Sequence, residues 1–93
     1  MNPDAPAQIT LVHSPACHFC DEAQAALAEL ATEFSLSVDL VPASSPPGAR
    51  LVREHRAPMY PLVLVDGAFF SFGRLPRTKL RRLLERRAFG SVA

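Results

Sequence analysis

Cysteine is scarce in this chain of 93 residues: there are two, Cys17 and Cys20. A structural zinc site wants four ligands, and neither His13 nor His55 stands at a spacing that would complete one around this pair. Long apolar runs are also missing, so no stretch reads as a helix spanning a bilayer. The opening Met1-Asn2-Pro3-Asp4-Ala5-Pro6 has neither the basic start nor the apolar core of a secretory signal, and the expected location is cytoplasmic. Structural disulfides are rare there, which shifts the weight for two neighbouring thiols from a staple towards catalysis, redox sensing or metal binding. Lysine and arginine are absent before Arg50: all 10 lie from that residue onward, while Asp4, Asp21, Glu22, Glu29, Glu33 and Asp39 make the first half acidic. The net charge is only +1, so the expected use of this asymmetry is internal, between helices of opposite sign or towards solvent. No base-stacking surface accompanies the arginines, which argues against nucleic acid as a partner. Repeats and low-complexity tracts are missing as well. An ordinary globular composition, 48% hydrophobic and 20% charged, then predicts one domain over residues 8 to 93 behind a loose leader, residues 1 to 7.

What is present is Cys17-His18-Phe19-Cys20, set where an apolar strand-like run, Gln8 to His13, gives way to a helix-like run reaching Phe34. Two thiols three positions apart at a strand-to-helix junction read as a redox dithiol. The first-turn amides of a helix lack intrahelical partners and carry the positive end of its dipole, which favours thiolate over thiol at Cys17. Cys20, three residues on, lies within reach of a mixed disulfide formed there. Cys17 is therefore the candidate nucleophile and Cys20 the resolving thiol.

Ser14-Pro15-Ala16 ends the first strand, because Pro15 cannot donate to a ladder and drives Ser14 towards an extended backbone. From the first cysteine onward, Ala23, Leu27, Leu30, Ala31 and Phe34 fall on one helical stripe, with Asp21, Glu22, Glu29 and Glu33 off it. Leu36 to Val41 reads as a second strand, parallel to the first across a right-handed crossover. Pro42 to Gly48 reads as a loop and cap before a short helix through Arg56 that turns Leu51 and Val52 inward. Pro61 to Val65, Asp66-Gly67 and Ala68 to Phe72 predict a β-hairpin with a tight turn, in which Phe69, Phe70 and Phe72 serve as core and edge cover. Pro76 suits the first turn of a last helix with Leu80, Leu83 and Leu84 inward and Gly90 beyond its end.

This order, β-α-β-α-β-β-α with the dithiol after the first strand, resembles the glutaredoxin branch of the thioredoxin family, and in particular small bacterial glutaredoxin-like proteins with a Cys-x-x-Cys followed by an acidic residue. The resemblance rests on Cys17 to Glu22, on Tyr60-Pro61-Leu62-Val63-Leu64-Val65-Asp66-Gly67 and on Gly73-Arg74-Leu75. It implies an α/β thioredoxin fold: a four-stranded mixed sheet flanked by helices, the first and last sharing one face. It also implies a cis peptide before Pro61 beside the dithiol, with the Tyr60 backbone available to an extended substrate segment. Catalysis would need no bound cofactor and no metal, only an external reductant: a thioredoxin reductase, glutathione or another small thiol. The partners implied are a disulfide-containing protein or small-thiol substrate and a reductase, with no nucleic acid and no membrane, and the protein itself is expected to be a monomer.

Glutathione-dependent members usually carry Cys-Pro-Tyr-Cys, a basic residue shortly before it and a Gly-Gly pair after the fourth strand. Here those places hold His18 and Phe19, Ser14-Pro15-Ala16, and Gly73-Arg74. The expected substrate-binding set is thus Tyr60, Pro61, His18, Phe19, Gly73 and Arg74, Arg74 offering a planar donor suited to a carboxylate or simply an exposed charge. His18 as an imidazolium would favour a thiolate at Cys17, whereas Asp21 and Glu22 act against one. Two other readings of the cysteine pair stay open: metal or iron-sulfur cluster binding, completed by a second copy or an external thiol, and a non-catalytic interaction module of the same fold.

Overall fold

The computed structural model describes residues 5 to 89. The fold grows from strand β1, Ala7–His13, in which Ile9, Leu11 and Val12 have no exposed surface. A strand buried on both faces must be paired on both edges and covered on both sides. On one edge β1 runs parallel to β2, Leu36–Pro42, in register from Ala7 opposite Leu36 to His13 opposite Pro42. On the other it runs antiparallel to β3, Leu62–Val65, from Ile9 opposite Val65 to Val12 opposite Leu62. Strand β4, Ala68–Phe72, closes the sheet in the order β2-β1-β3-β4.

The three helices are α1, His18–Leu30, α2, Pro46–His55, and α3, Arg77–Phe89. Helices α1 and α3 cover one face: Ala23, Leu27, Leu30, Leu80 and Leu84 pack with Ile9, Leu11, Val63 and Phe70 in the larger core. Helix α2 covers the other, where Leu51 and Val52 lie on Val12, Leu62 and Leu64. Burial is what keeps these elements in place, since each fully buried Leu or Ile contributes about 1.5–3 kcal/mol relative to an exposed one. None of the described helices is long and apolar enough to cross a membrane.

Local chemistry sets the joints. At the hairpin Asp66 and Gly67 take φ of 50° and 82°, the left-handed pair that a two-residue turn requires. Between Val63 and Leu64 the β3–β4 register shifts, so that Ser71 and Phe69 oppose those two residues and Phe70 is the extra one. Phe70 is buried in the α1–α3 core, while Phe69 and Phe72 turn to the α2 side with ring centroids 4.9 Å apart. Ser45 caps α2 by accepting from the Gly48 amide at 3.2 Å, and its hydroxyl donates to the Pro42 carbonyl at 2.6 Å. Gly48 is buried against that same carbonyl, with no room there for a Cβ.

The boundaries differ from expectation in several places; β3 starts at Leu62 and not at Pro61, and β2 and α2 each end one residue away from the expected position. Helix α1 stops at Leu30, short of Phe34, because the Thr32 hydroxyl and amide both donate to the Glu29 carbonyl and break the helical pattern; Phe34 instead packs half-buried against the core. Helix α2 begins at Pro46, inside the stretch expected to be loop, since two prolines suit the opening positions of a helix behind a serine cap. Strand β1 begins at Ala7, and of the expected leader Ala5 and Pro6 are also tied down: their carbonyls accept from the Arg87 guanidinium at 2.8 and 3.2 Å. Residues 1 to 4 of that leader and Gly90 lie outside the described residues.

The segregated charges meet where α1 faces α3. Arg77 pairs with Glu29, and Arg81 makes a two-pronged contact with Glu33 at 2.9 and 2.6 Å. The hydrogen bond from Arg81 holds the Glu33 carboxyl below the usual range. Asp66 is lowered too, first by the Arg87 hydrogen bond and then by the Gln8 amide.

Two measurements check this account. Gly48→Ala should destabilise the fold by about 1–3 kcal/mol, the usual cost of overpacking, as read by urea unfolding. Because the Asp66 carboxyl is depressed in the folded state, its contribution is complete above the unfolded pKa and is lost as pH falls through the folded value. Calorimetry of Asp66→Asn should show a melting temperature a few degrees lower at neutral pH and a shallower fall on acidification than in the parent protein.

Candidate active site

The carboxyl ends of the parallel strands β1 and β2, the start of β3 and the end of β4 all lie along one edge of the sheet. Loops leaving such an edge are where open α/β sheets place ligands. Here they bring together the Ser14-to-Cys20 turn, Tyr60-Pro61 and Gly73-Arg74. Pro61 directly precedes Leu62, the first residue of β3, is fully buried, and its carbonyl accepts from the Gly73 amide at 3.0 Å. The Tyr60–Pro61 peptide is cis. Among the described residues the Tyr60 amide and carbonyl have no backbone partner.

Entry into α1 is made by Ala16, whose φ of 51° lies in the left-handed region that costs a residue with a Cβ about 1–2 kcal/mol. Strain of this kind persists only where the surroundings impose it, and it falls on the residue directly before Cys17. Cys17 then takes extended φ and ψ of −108° and 103° and is the N-cap of α1. Its Sγ accepts from the Cys20 amide at 3.1 Å, and its carbonyl accepts from the Asp21 amide at 3.1 Å. Sulfur thus occupies the place that a serine or aspartate oxygen fills in an ordinary cap, and a negative charge on it would be met by that amide and by the helix dipole.

Cys17 and Cys20 are joined as a disulfide, with Cα atoms 5.1 Å apart. The two are not equivalent. Cys17 is half-buried, whereas Cys20 is 2% exposed and sits in the inward row of α1 with Ala23 and Leu27. An attacking or attacked sulfur must be reached from outside, and only Cys17 meets that condition.

A charged and aromatic rim surrounds the pair. His18 is exposed, its Nε2 lying 3.7 Å from a Glu22 carboxylate oxygen. Arg74 reaches the other oxygen of Glu22 at 3.6 Å, and its guanidinium lies 5.0 Å from the centroid of Phe19. The Glu22 carboxylate, expected to oppose a thiolate, is therefore flanked by two groups able to carry positive charge. Tyr60 is half-buried against the α2 core. Gly73 takes φ of 79°, and the Met59 thioether lies where a Cβ on Gly73 would point. His13 and His55 stand apart from the dithiol, one half-buried at the end of β1 and the other stacked on Phe69 at 6.2 Å.

Sequence reading missed three features here: the left-handed Ala16, Met59, and the joining of Arg74 to Glu22. Alanine carries no signal for φ. Met59 is 48% exposed beside Tyr60-Pro61, and a large apolar residue next to a candidate substrate loop was the available hint. Arg74 and Glu22 are linked only by the sheet topology. No group of three or more His, Cys, Asp or Glu side chains able to hold a metal occurs among the described residues, so an ion on the cysteine pair would need ligands from elsewhere.

Solved structures share this architecture. The chain is similar to a thioredoxin-like protein from Clostridium perfringens, at 15% identity and a TM-score of 0.70 over 88% of this chain and 71% of that one. It is also similar to oxidised mitochondrial thioredoxin 3 from Saccharomyces cerevisiae, at 14% identity and 0.63 over 89% and 81%, and to a thioredoxin from Thermus thermophilus, at 21% and 0.55 over 92% and 79%. The fold is thioredoxin-like. Neither a protein-family model nor a curated protein sequence matches the chain, so the thioredoxin-like character rests on architecture and on the position of the dithiol within it. In the reduced protein, iodoacetamide should modify Cys17 well before Cys20, as read by peptide mass spectrometry; faster modification of Cys20 would contradict the burial described above.

Proposed function

We propose that this protein is a thiol-disulfide oxidoreductase of the glutaredoxin-like kind, acting through Cys17 as nucleophile and Cys20 as resolving thiol. The observation that carries the reading is the N-cap position of Cys17, whose Sγ is reached by a backbone amide and stands nearer to solvent than its partner. A thioredoxin-like fold with a Cys-x-x-Cys pair close enough to be joined supports thiol–disulfide chemistry in general.

In the proposed cycle the Cys17 thiolate attacks one sulfur of a substrate disulfide; a new S–S bond forms as the old one breaks, and the first substrate sulfur leaves and takes up a proton. Cys20 loses its proton and attacks Cys17 Sγ, expelling the second substrate sulfur, which is protonated in turn. Two electrons have moved to the substrate, and the Cys17–Cys20 disulfide remains. An external reductant, a thioredoxin reductase, glutathione or another small thiol, restores the dithiol without a bound cofactor. The proposed setting is a monomer in the reducing cytoplasm.

A disulfide-containing protein is the substrate that the rim favours. The free backbone of Tyr60 offers strand-like pairing to an extended segment, and Tyr60, Met59 and Phe19 offer apolar contact beside it. Glutathione fits less well, because the one guanidinium at the rim is already shared between Glu22 and the Phe19 ring.

Insulin reduction with dithiothreitol as electron donor tests the assignment of roles. Cys17→Ser should abolish turnover, and Cys20→Ser should accumulate a mixed disulfide through Cys17 that is visible on a non-reducing gel. Retained turnover in Cys17→Ser would end the proposal.

A further inference from the structure

Helix α3 carries six cations, and they are divided by face. Arg77, Arg81 and Arg87 point to Glu29, Glu33 and Asp66 and are neutralised within the fold. Lys79, Arg82 and Arg86 have no acidic partner within salt-bridge distance among the described residues, although each of the other three does. At about 100° per residue these three fall within about 60° of one another around the helix and span about 10 Å along it. The one acid on α3, Glu85, lies one turn from both Arg81 and Arg82 and acts on the Arg81 charge, but makes no salt bridge to Arg82 or Arg86 among the described residues.

The row borders a groove. On its sheet-facing side Lys79 lies 5.0 Å from the centroid of Phe70, and an open hollow of about 510 Å³ between α3 and β4 is lined by Ala68, Phe70 and Leu83 together with the Asp66–Arg87 pair. Arg86 lines both this hollow and the adjoining one along the basic row. A ridge of uncompensated positive charge thus runs beside an apolar trough.

We infer that this groove is a docking site for an acidic amphipathic helix of a partner protein, with carboxylates at i, i+3 and i+7 facing Lys79, Arg82 and Arg86 and apolar side chains entering the trough beside Leu83. The repeat of the cations fixes the repeat of the acids, since two helices share the same rise per residue. The trough decides between partner classes. A phosphate backbone would match the cations and leave the apolar floor unused. A bilayer surface wants several large apolar side chains that project, whereas Phe70 is buried, Leu83 is half-buried and Phe69 is the one large apolar residue beside the trough that is exposed. This site does not use the dithiol, and its test is independent of the redox reading.

The probe is a synthetic helical peptide of about 18 residues with glutamate at i, i+3 and i+7 beside a leucine stripe, titrated into the full chain and followed by amide chemical-shift mapping. Shifts should centre on Ala68–Phe70 and Lys79–Arg86, and binding should weaken with salt. The triple variant Lys79→Glu, Arg82→Glu, Arg86→Glu should lose about tenfold or more in affinity and gain binding to the same peptide with lysines in place of the glutamates. The neutral triple change to glutamine serves if the charge reversal fails to fold, with far-UV circular dichroism and the melting temperature as the check that either variant keeps its fold. The proposal is overturned by absence of saturable binding, by shifts elsewhere, or by an affinity indifferent to both variants. It is likewise overturned if duplex DNA or phosphatidylglycerol vesicles bind the same residues more tightly than the peptide.

Discussion

The double-sided burial of β1 is the constraint on which everything else hangs. Ile9 and Leu11 look to one face and Val12 to the other, so the chain cannot end that strand at the surface of the sheet's middle without turning sharply out of it. Ser14-Pro15-Ala16 makes the turn, and the next residues start a helix that must lie over Ile9 and Leu11 to keep them dry. Cys17 is at the helix opening because the crossover to β2 begins there. Its chemistry is thus a by-product of where a central strand stops: the amides of a helix that has just begun have no partner within the helix.

Electrostatics is layered onto this frame and does not generate it. The acids of α1 and the arginines of α3 come together because both helices cover the same side of the sheet, and these exposed contacts each add little to stability. They do decide which cations are spent internally. At the dithiol the same arithmetic gives Glu22 an arginine and a histidine as neighbours, so that part of its charge is turned towards Arg74.

Much of this was legible in the sequence, for reasons that can be named. Period-2 and period-3.6 patterns around Ile9, Leu11, Leu27 and Leu80 report burial directly, and Asp66-Gly67 reports its own turn type. The prominence of Cys17-His18-Phe19-Cys20 came from scarcity as much as from spacing. What stayed hidden was of two kinds. Backbone states such as Ala16's are imposed by neighbours and leave no mark on the residue. Partnerships such as Arg74 with Glu22 depend on which strands lie side by side, which a local pattern does not encode. The end of α1 was misplaced because Phe34 keeps the helical period after the helix has stopped.

Arg87 holds Ala5 and Pro6 to the hairpin turn at Asp66, so the first and last described segments meet at a single point. That point is the starting end of β1, and the dithiol follows its finishing end, about 20 Å away along a seven-residue strand. The molecule therefore has a handle and a working tip. A partner that grips the Ala5–Pro6 segment or Arg87 sits at the far pole and leaves the Cys17 side open to a bulky client.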